Sequence, residues 1–181
     1  FTIDKKTLLT KLQLLSKAVP ARSTLPIISS ALFHYKENSL NIRATDLEIS
    51  IKLSVDVENG KNGSIAIPLG KLLEITNVLP NTNINFIVSD IGKINIECNS
   101  GKYTIMGQSY EEFPTEQTLE NSKELIVLGE ELKDIIMNTA YAASRDDLKP
   151  VLQGVLFQIG EKGFVSVATD GHRLVKFEKK D

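Results

Sequence analysis

A chain of 181 residues, 41% hydrophobic and 24% charged, has apolar material for one ordinary domain and part of a second. Twenty-one Lys+Arg against twenty-three Asp+Glu leave a formal net charge of −2, so no global positive charge advertises a nucleic-acid partner, and any such contact must come from local charge. No apolar run approaches the roughly 18 residues of a membrane span, no basic stretch followed by an apolar run and a small-residue cleavage site suggests export, and the lone Cys98 excludes a disulfide framework or a cysteine-based metal site within the chain, so a cytoplasmic address with no membrane is expected.

In chain order, Phe1–Asp4 reads as a short strand. Leu8, Leu12, Leu15 and Val19 then recur at helical spacing, with Lys6, Thr10, Gln13 and Lys17 forming the polar row opposite. From Lys5 to Arg22 there are five basic residues and no acid. Strands are expected near Ser30–Tyr35, at Leu40–Ala44 and at Leu47–Val57. The apolar phase slips by one residue between the last two, so Thr45-Asp46 marks a bulge or a turn. Ser64–Ile67 follows, then a second helix bracketed by Pro68 and Pro80 with Leu72, Ile75 and Leu79 as its inner row. Ile84–Val88, Ile94–Cys98 and Tyr103–Gln108 alternate as half-buried strands, with hairpin punctuation at Asn59-Gly60, Asn62-Gly63, Asp90-Ile91-Gly92 and Asn99-Ser100-Gly101. The count is about eight antiparallel strands and two helices, an α+β architecture. The helices should cover one side, so that Lys6 and Lys17 share a surface.

Shifted by 124 residues without a gap, Phe1–Lys52 aligns on Leu125–Lys176 with ten identities, Pro26/Pro150, Phe33/Phe157, Thr45/Thr169 and Asp46/Asp170 among them. Two copies of one domain are expected: a first domain over 1–118, a linker over 119–124, and an incomplete second domain over 125–181. The linker belongs to the acid-rich stretch Tyr110–Glu124, which reads as solvated. A fragment of a longer polypeptide is the simpler explanation of the incompleteness.

The histidine-bearing motif worth weighing is Thr169-Asp170-Gly171-His172-Arg173. Asp170 and His172 could serve proton transfer in a nucleic-acid-processing hydrolase, but no nucleophile elbow, metal-spaced histidine or paired-carboxylate signature accompanies them. Asp170-Gly171 is also a plain turn signal. The first copy has Thr45-Asp46-Leu47-Glu48-Ile49 at the same place, which makes the shared Thr-Asp structural and leaves Gly-His-Arg for a role of the second copy, such as a binding surface. Gly70-Lys71 lacks the spaced glycine and the Ser/Thr of a phosphate loop, and Asn62-Gly63-Ser64 is treated as a turn.

At Ala168-Thr169-Asp170-Gly171-His172-Arg173-Leu174 the chain resembles the second domain of bacterial sliding clamps, the beta subunits of DNA polymerase III. Thr24-Leu25-Pro26-Ile27, Ala44-Thr45-Asp46-Leu47-Glu48, Glu112-Phe113-Pro114 and Leu152-Gln153-Gly154-Val155-Leu156-Phe157 are similar to other clamp signatures in order and spacing. The resemblance implies the DNA clamp fold, with each domain's strands in two sheets and its helices on one side. It also implies a three-domain polypeptide whose homodimer closes a ring around double-stranded DNA, without catalysis, metal or cofactor. The implied role is that of a processivity factor, tethering DNA polymerase III through its alpha subunit, the clamp loader, and other polymerases and repair proteins through short linear peptides.

Arg22 matches a DNA-contacting arginine of the family, and Lys6 and Lys17 suit sequence-independent phosphate contact. Gly70 stands where some relatives carry arginine, and Asp146, Pro150 and Val151 replace polar or aromatic residues, which leaves second-domain DNA contacts open. Leu152, Thr169, Gly171, His172, Arg173 and Leu174 match one wall of the partner-peptide pocket. Tyr103, Ile105 and Lys71 match the dimer seam, although strand alternation alone also makes positions 103 and 105 apolar.

Overall fold

The computed structural model describes residues 1–20, 23–89, 91–116, 126–160 and 163–179. The chain divides into two compact units, Phe1–Gln117 and Thr118–Asp181. The linker expected over 119–124 lies outside the described residues, as does Arg22.

The first unit opens with β1 (Thr2–Asp4), whose last residue caps α1 (Lys5–Leu15). The Asp4 carboxylate accepts from the Thr7 backbone N–H at 2.9 Å and from its hydroxyl at 3.0 Å, satisfying a donor the helix cannot. Leu8, Leu12 and Leu15 are fully buried, as their spacing predicts. The helix ends sooner than the periodicity suggests. A 3₁₀ turn over Ser16–Ala18 tightens the chain to three residues per turn, which brings Ala18 beneath Leu15 and leaves Val19 half-buried.

Four strands, β2 (Ser30–Lys36), β3 (Ser39–Thr45), β4 (Ser50–Asp56) and β5 (Gly63–Pro68), form an antiparallel sheet in the order β4-β3-β2-β5. After α2 (Leu69–Val78) come β6 (Asn83–Val88), β7 (Lys93–Cys98) and β8 (Gly101–Met106), which join β1 in a second sheet, β1-β6-β7-β8. Phe33, Leu40 and Ile42 from the first sheet, Ile84, Ile94 and Ile96 from the second, and Leu8, Leu12, Leu69 and Leu72 from the helices make one core. Eight antiparallel strands in two sheets with two helices is the architecture expected.

Three details depart from it. The strand expected from Leu47 starts only at Ser50, and Leu47 and Ile49 are exposed in the turn before it. Val88 is exposed at the end of β6. In α2 the buried row is Leu69, Leu72 and Thr76, with Ile75 half-buried and Leu79 just past the helix. Burial of Thr76 is compatible with a threonine because its hydroxyl donates to the Leu72 carbonyl at 2.7 Å.

The second unit repeats the first in its opening half. α3 (Gly129–Thr139) begins and ends 124 residues after α1, and 3₁₀ turns at Ala140–Ala142 and Pro150–Gln153 stand at the same offset from Ser16–Ala18 and Pro26–Ser29. β9 (Leu156–Gly160), β10 (Gly163–Thr169) and β11 (Leu174–Lys179) form a sheet in the order β11-β10-β9, with β10 in exact register with β3. Leu132 and Ile136, the counterparts of Leu8 and Leu12, are 38% and 40% exposed. The helical face that the first unit packs into its core is thus open here. Among the described residues no helix is long and apolar enough to cross a membrane.

Candidate functional site

The turn that ends β10 is built from Thr169 and Asp170. The Asp170 Oδ1 accepts from the backbone N–H groups of His172 and Arg173, both at 2.9 Å, and Arg173 Nε reaches Oδ2 at 3.0 Å. The Thr169 hydroxyl donates to the Arg173 carbonyl at 2.6 Å and accepts from the Gly171 N–H at 3.1 Å. Gly171 sits at φ +92°, a left-handed conformation natural to glycine. The backbone N–H of Arg173, then that of His172 and the Arg173 charge, hold the Asp170 carboxyl below its ordinary range.

The turn after β3 has the same construction. Thr45 Oγ1 donates to the Ile49 carbonyl at 2.8 Å and accepts from the Leu47 N–H at 3.0 Å, while Asp46 Oδ1 accepts from Glu48 and Ile49 at 3.0 and 2.6 Å. A carboxylate committed to two backbone donors and a guanidinium is an anchor and a poor proton acceptor. The hydrolase reading of Asp170 and His172 therefore finds no support. His172 and Arg173 are exposed on the turn.

Beside that turn lies an open cleft of about 520 Å³, lined by Tyr141, the stretch Ala143–Asp146, Lys149, Asp170, His172 and Arg173. Arg173 forms one side, its Nη2 donating to the Tyr141 carbonyl at 2.8 Å and its guanidinium carbon 5.9 Å from the Tyr141 ring. Of the six positions matched to a peptide pocket, His172 and Arg173 line the cleft. Thr169 and Gly171 build the turn behind it, and Leu174 is 65% exposed at the start of β11. Leu152 is half-buried, its carbonyl accepting from the Ser144 N–H at 2.8 Å. The sequence reading missed Tyr141, Arg145 and Lys149, which reach the cleft from segments remote from the Thr-Asp-Gly-His-Arg motif and carry no motif of their own.

The first unit presents a basic helical face. Lys6 on α1 and Lys17 in the following 3₁₀ turn are exposed, Lys11 is half-buried and Lys5 buried. Neither Lys6 nor Lys17 joins an ion pair among the described residues. Lys5 and Lys6 stand in the first turn of α1, where the helix dipole disfavours positive charge, so their placement is not a device of helix stability.

Two of the three matched seam residues lie at the edge of the second sheet. Tyr103 and Ile105 are on β8, opposite Ile96 and Ile94, and both pack on the core, Ile105 at 9% exposure. Lys71 is exposed on α2. The other edge of β8 has no strand beside it among the described residues.

The Glu112-Phe113-Pro114 motif proves to be a clasp. Phe113 is buried with Ile27, Ile28 and Ala66, the Arg43 guanidinium stacks over its ring at 5.1 Å and donates to the Pro114 carbonyl, and Lys52 pairs with Glu116 at 3.3 Å.

Comparison with known proteins agrees with this geometry. Residues 1–117 match the model of the DNA polymerase III beta subunit, N-terminal domain, and residues 127–180 that of its central domain. The beta sliding clamp of Vibrio cholerae is 30% identical over 175 residues, which is 96% of this chain and 48% of the relative. A Pseudomonas aeruginosa clamp structure bound to griselimycin superposes with a TM-score of 0.91 at 31% identity, covering 99% of this chain and 49% of that one. The Bacillus subtilis clamp gives 0.92 at 26%, covering 99% and 49%. The chain spans about half the length of the curated relatives it matches. Fold, repeat and family match coincide over both units, and the chain belongs to the DNA polymerase III beta subunit family.

Proposed function

We propose that this chain is the amino-terminal part of a non-catalytic replication clamp, a homodimeric ring that encircles duplex DNA and tethers the replicative polymerase to it. The observation that carries the reading is the duplication. Two copies of one helix-and-sheet unit stand 124 residues apart, and the first presents an acid-free basic helix suited to phosphates and to no particular sequence. The names of the relatives, beta sliding clamps, support it.

In this reading Lys6, Lys17 and Arg22 contact DNA. Leu152, Thr169, Gly171, His172, Arg173 and Leu174 form one wall of a pocket for short linear peptides of the polymerase alpha subunit, the clamp loader, other polymerases and repair proteins. The open cleft beside the Thr-Asp turn, walled by Arg173 and Tyr141, suits an anchored peptide. The edge of β8 that has no strand beside it among the described residues, with Tyr103 and Ile105, and Lys71 on α2 belong to the half of the dimer seam this chain supplies. The domains run over 1–118 and 125–181, joined through 119–124, and the ring works in the cytoplasm.

Loading of the full-length protein onto nicked circular plasmid DNA by its loader, followed by linearisation, tests the proposal. A ring stays on circles and runs off linear ends. Retention on both forms would overturn the topological mechanism.

A further inference from the structure

Because the two copies keep one offset from α1 to β11, each surface position between α1 and β4 of the first has an identifiable counterpart in the second. The counterparts of the three residues assigned to DNA are not basic. Lys6 corresponds to Glu130, Lys17 to Tyr141 and Arg22 to Asp146. Glu130 and Asp146 are exposed, and Tyr141 is 59% exposed.

The inversion extends along the helix. Lys5, Lys6, Lys11 and Lys17 are unopposed by any acid between positions 5 and 17, whereas Glu130, Glu131 and Asp134 outweigh Lys133 between positions 129 and 141. Glu130 and Glu131 fall in the first turn of α3 and complement its dipole, which is a sufficient structural reason for those two. It does not account for Asp134, exposed a turn further on at the counterpart of Thr10. The loop that follows restores no positive excess, since Arg145 and Lys149 are balanced by Asp146 and Asp147. Both acids are fixed there, Asp146 Oδ1 accepting from the Leu148 N–H and Asp147 Oδ1 from the Gln153 amide, each at 3.0 Å.

We propose that, of these two copies, only the first holds duplex DNA, and that the α3 face of the second copy repels phosphate and keeps the duplex off it. This rests on the clamp reading and adds to it a division of labour between the copies. Duplex DNA carries about one charge per 1.7 Å of its axis, so every contact made adds to the salt dependence of binding. Fewer contacts leave the ring weakly bound and free to slide. Screening over roughly 8 Å at physiological ionic strength confines the repulsion to the distances at which contact would form.

The test uses the full-length protein and a short primed duplex, with affinity followed between about 50 and 200 mM salt. Glu130→Lys with Asp134→Lys is expected to tighten binding several-fold at the low-salt end and to steepen the dependence of log K on log salt by up to about 2, from about 0.9 per new phosphate contact. Glu130→Gln with Asp134→Asn, which removes charge without adding a cation at the helix start, should tighten binding without steepening the slope as far. Lys6→Glu with Lys17→Glu should weaken binding and flatten the slope. If the lysine pair matters and neither α3 pair changes affinity or slope, the division of labour is wrong and the clamp reading survives. If Lys6→Glu with Lys17→Glu changes nothing, the DNA assignment on which both rest is wrong.

Discussion

Leu47 and Gly171 occupy the same position of two matching turns, at φ +82° and +92°. Each donates its N–H to the hydroxyl of the Thr two residues before it and sits inside the loop closed by the Asp just before it. The second copy meets the left-handed requirement with glycine. The first meets it with leucine, at a cost of about 1–2 kcal/mol for a side chain in that region. Leu47→Gly should relieve that strain and lose about 0.5–1 kcal/mol of it to the greater freedom of glycine in the unfolded chain, leaving stability unchanged or slightly raised. Gly171→Ala, with open space around its new Cβ, should cost about 1 kcal/mol through the backbone alone. Denaturant midpoints of the two variants check both signs.

The same turns make stability depend on acid. The carboxyls of Asp46 and Asp170 are held below their ordinary range, first by the backbone N–H groups of Ile49 and Arg173 respectively. A carboxyl lowered in the folded state contributes stability that is fully present above its unfolded value near 3.9 and is lost as pH falls through the lower folded value. Asp46→Asn and Asp170→Asn should therefore destabilise at neutral pH, and the difference from the parent should shrink as pH falls below about 4. A difference that stayed constant down to pH 2 would show that charge has no part in either turn.

Much of this fold was legible in the sequence because it rests on periodicity. The rows Leu8-Leu12-Leu15 and Ile94-Ile96 are long, regular and bounded by turn residues, and they form the core. Features decided by single hydrogen bonds were not legible. Thr76 is buried because its hydroxyl finds the Leu72 carbonyl, and the hairpin at Glu37-Asn38 forms at φ +50° and +64° without the glycine that announces such turns. The Thr-Asp turn was legible through the repeat, since Asp46 and Asp170 share an offset but Leu47 and Gly171 share no chemistry. Tyr141 and Lys149 were invisible as cleft residues because proximity in space to Arg173 leaves no trace in local spacing.

The core supports a direct test of packing. Leu12 is fully buried among side chains from both sheets, whereas its counterpart Ile136 is 40% exposed. Leu12→Ala should cost about 2–5 kcal/mol through lost burial and the cavity left behind. Ile136→Ala, measured in this chain, should cost well under half as much, since a large part of the side chain already meets solvent. Equal losses at the two sites would mean that the open face of α3 is covered in solution.

The last prediction concerns Arg43, which stacks on the buried Phe113 and donates to the Pro114 carbonyl. Two independent contacts from one guanidinium hold residues 113 and 114 against the sheet, and Lys52 adds a third point at Glu116 through an exposed pair. Exposed pairs contribute little, about 0–1 kcal/mol, so Lys52→Ala should leave the segment in place. Arg43→Ala removes the stacking and the carbonyl donor together and should cost about 1–2 kcal/mol, with faster amide exchange at Phe113. Arg43→Lys keeps the charge but not the planar fork, so it should recover only part of that loss. Exchange at Phe113 that responded to Lys52→Ala as strongly as to Arg43→Ala would mean that the acidic pairing, and not the arginine, holds the segment in place.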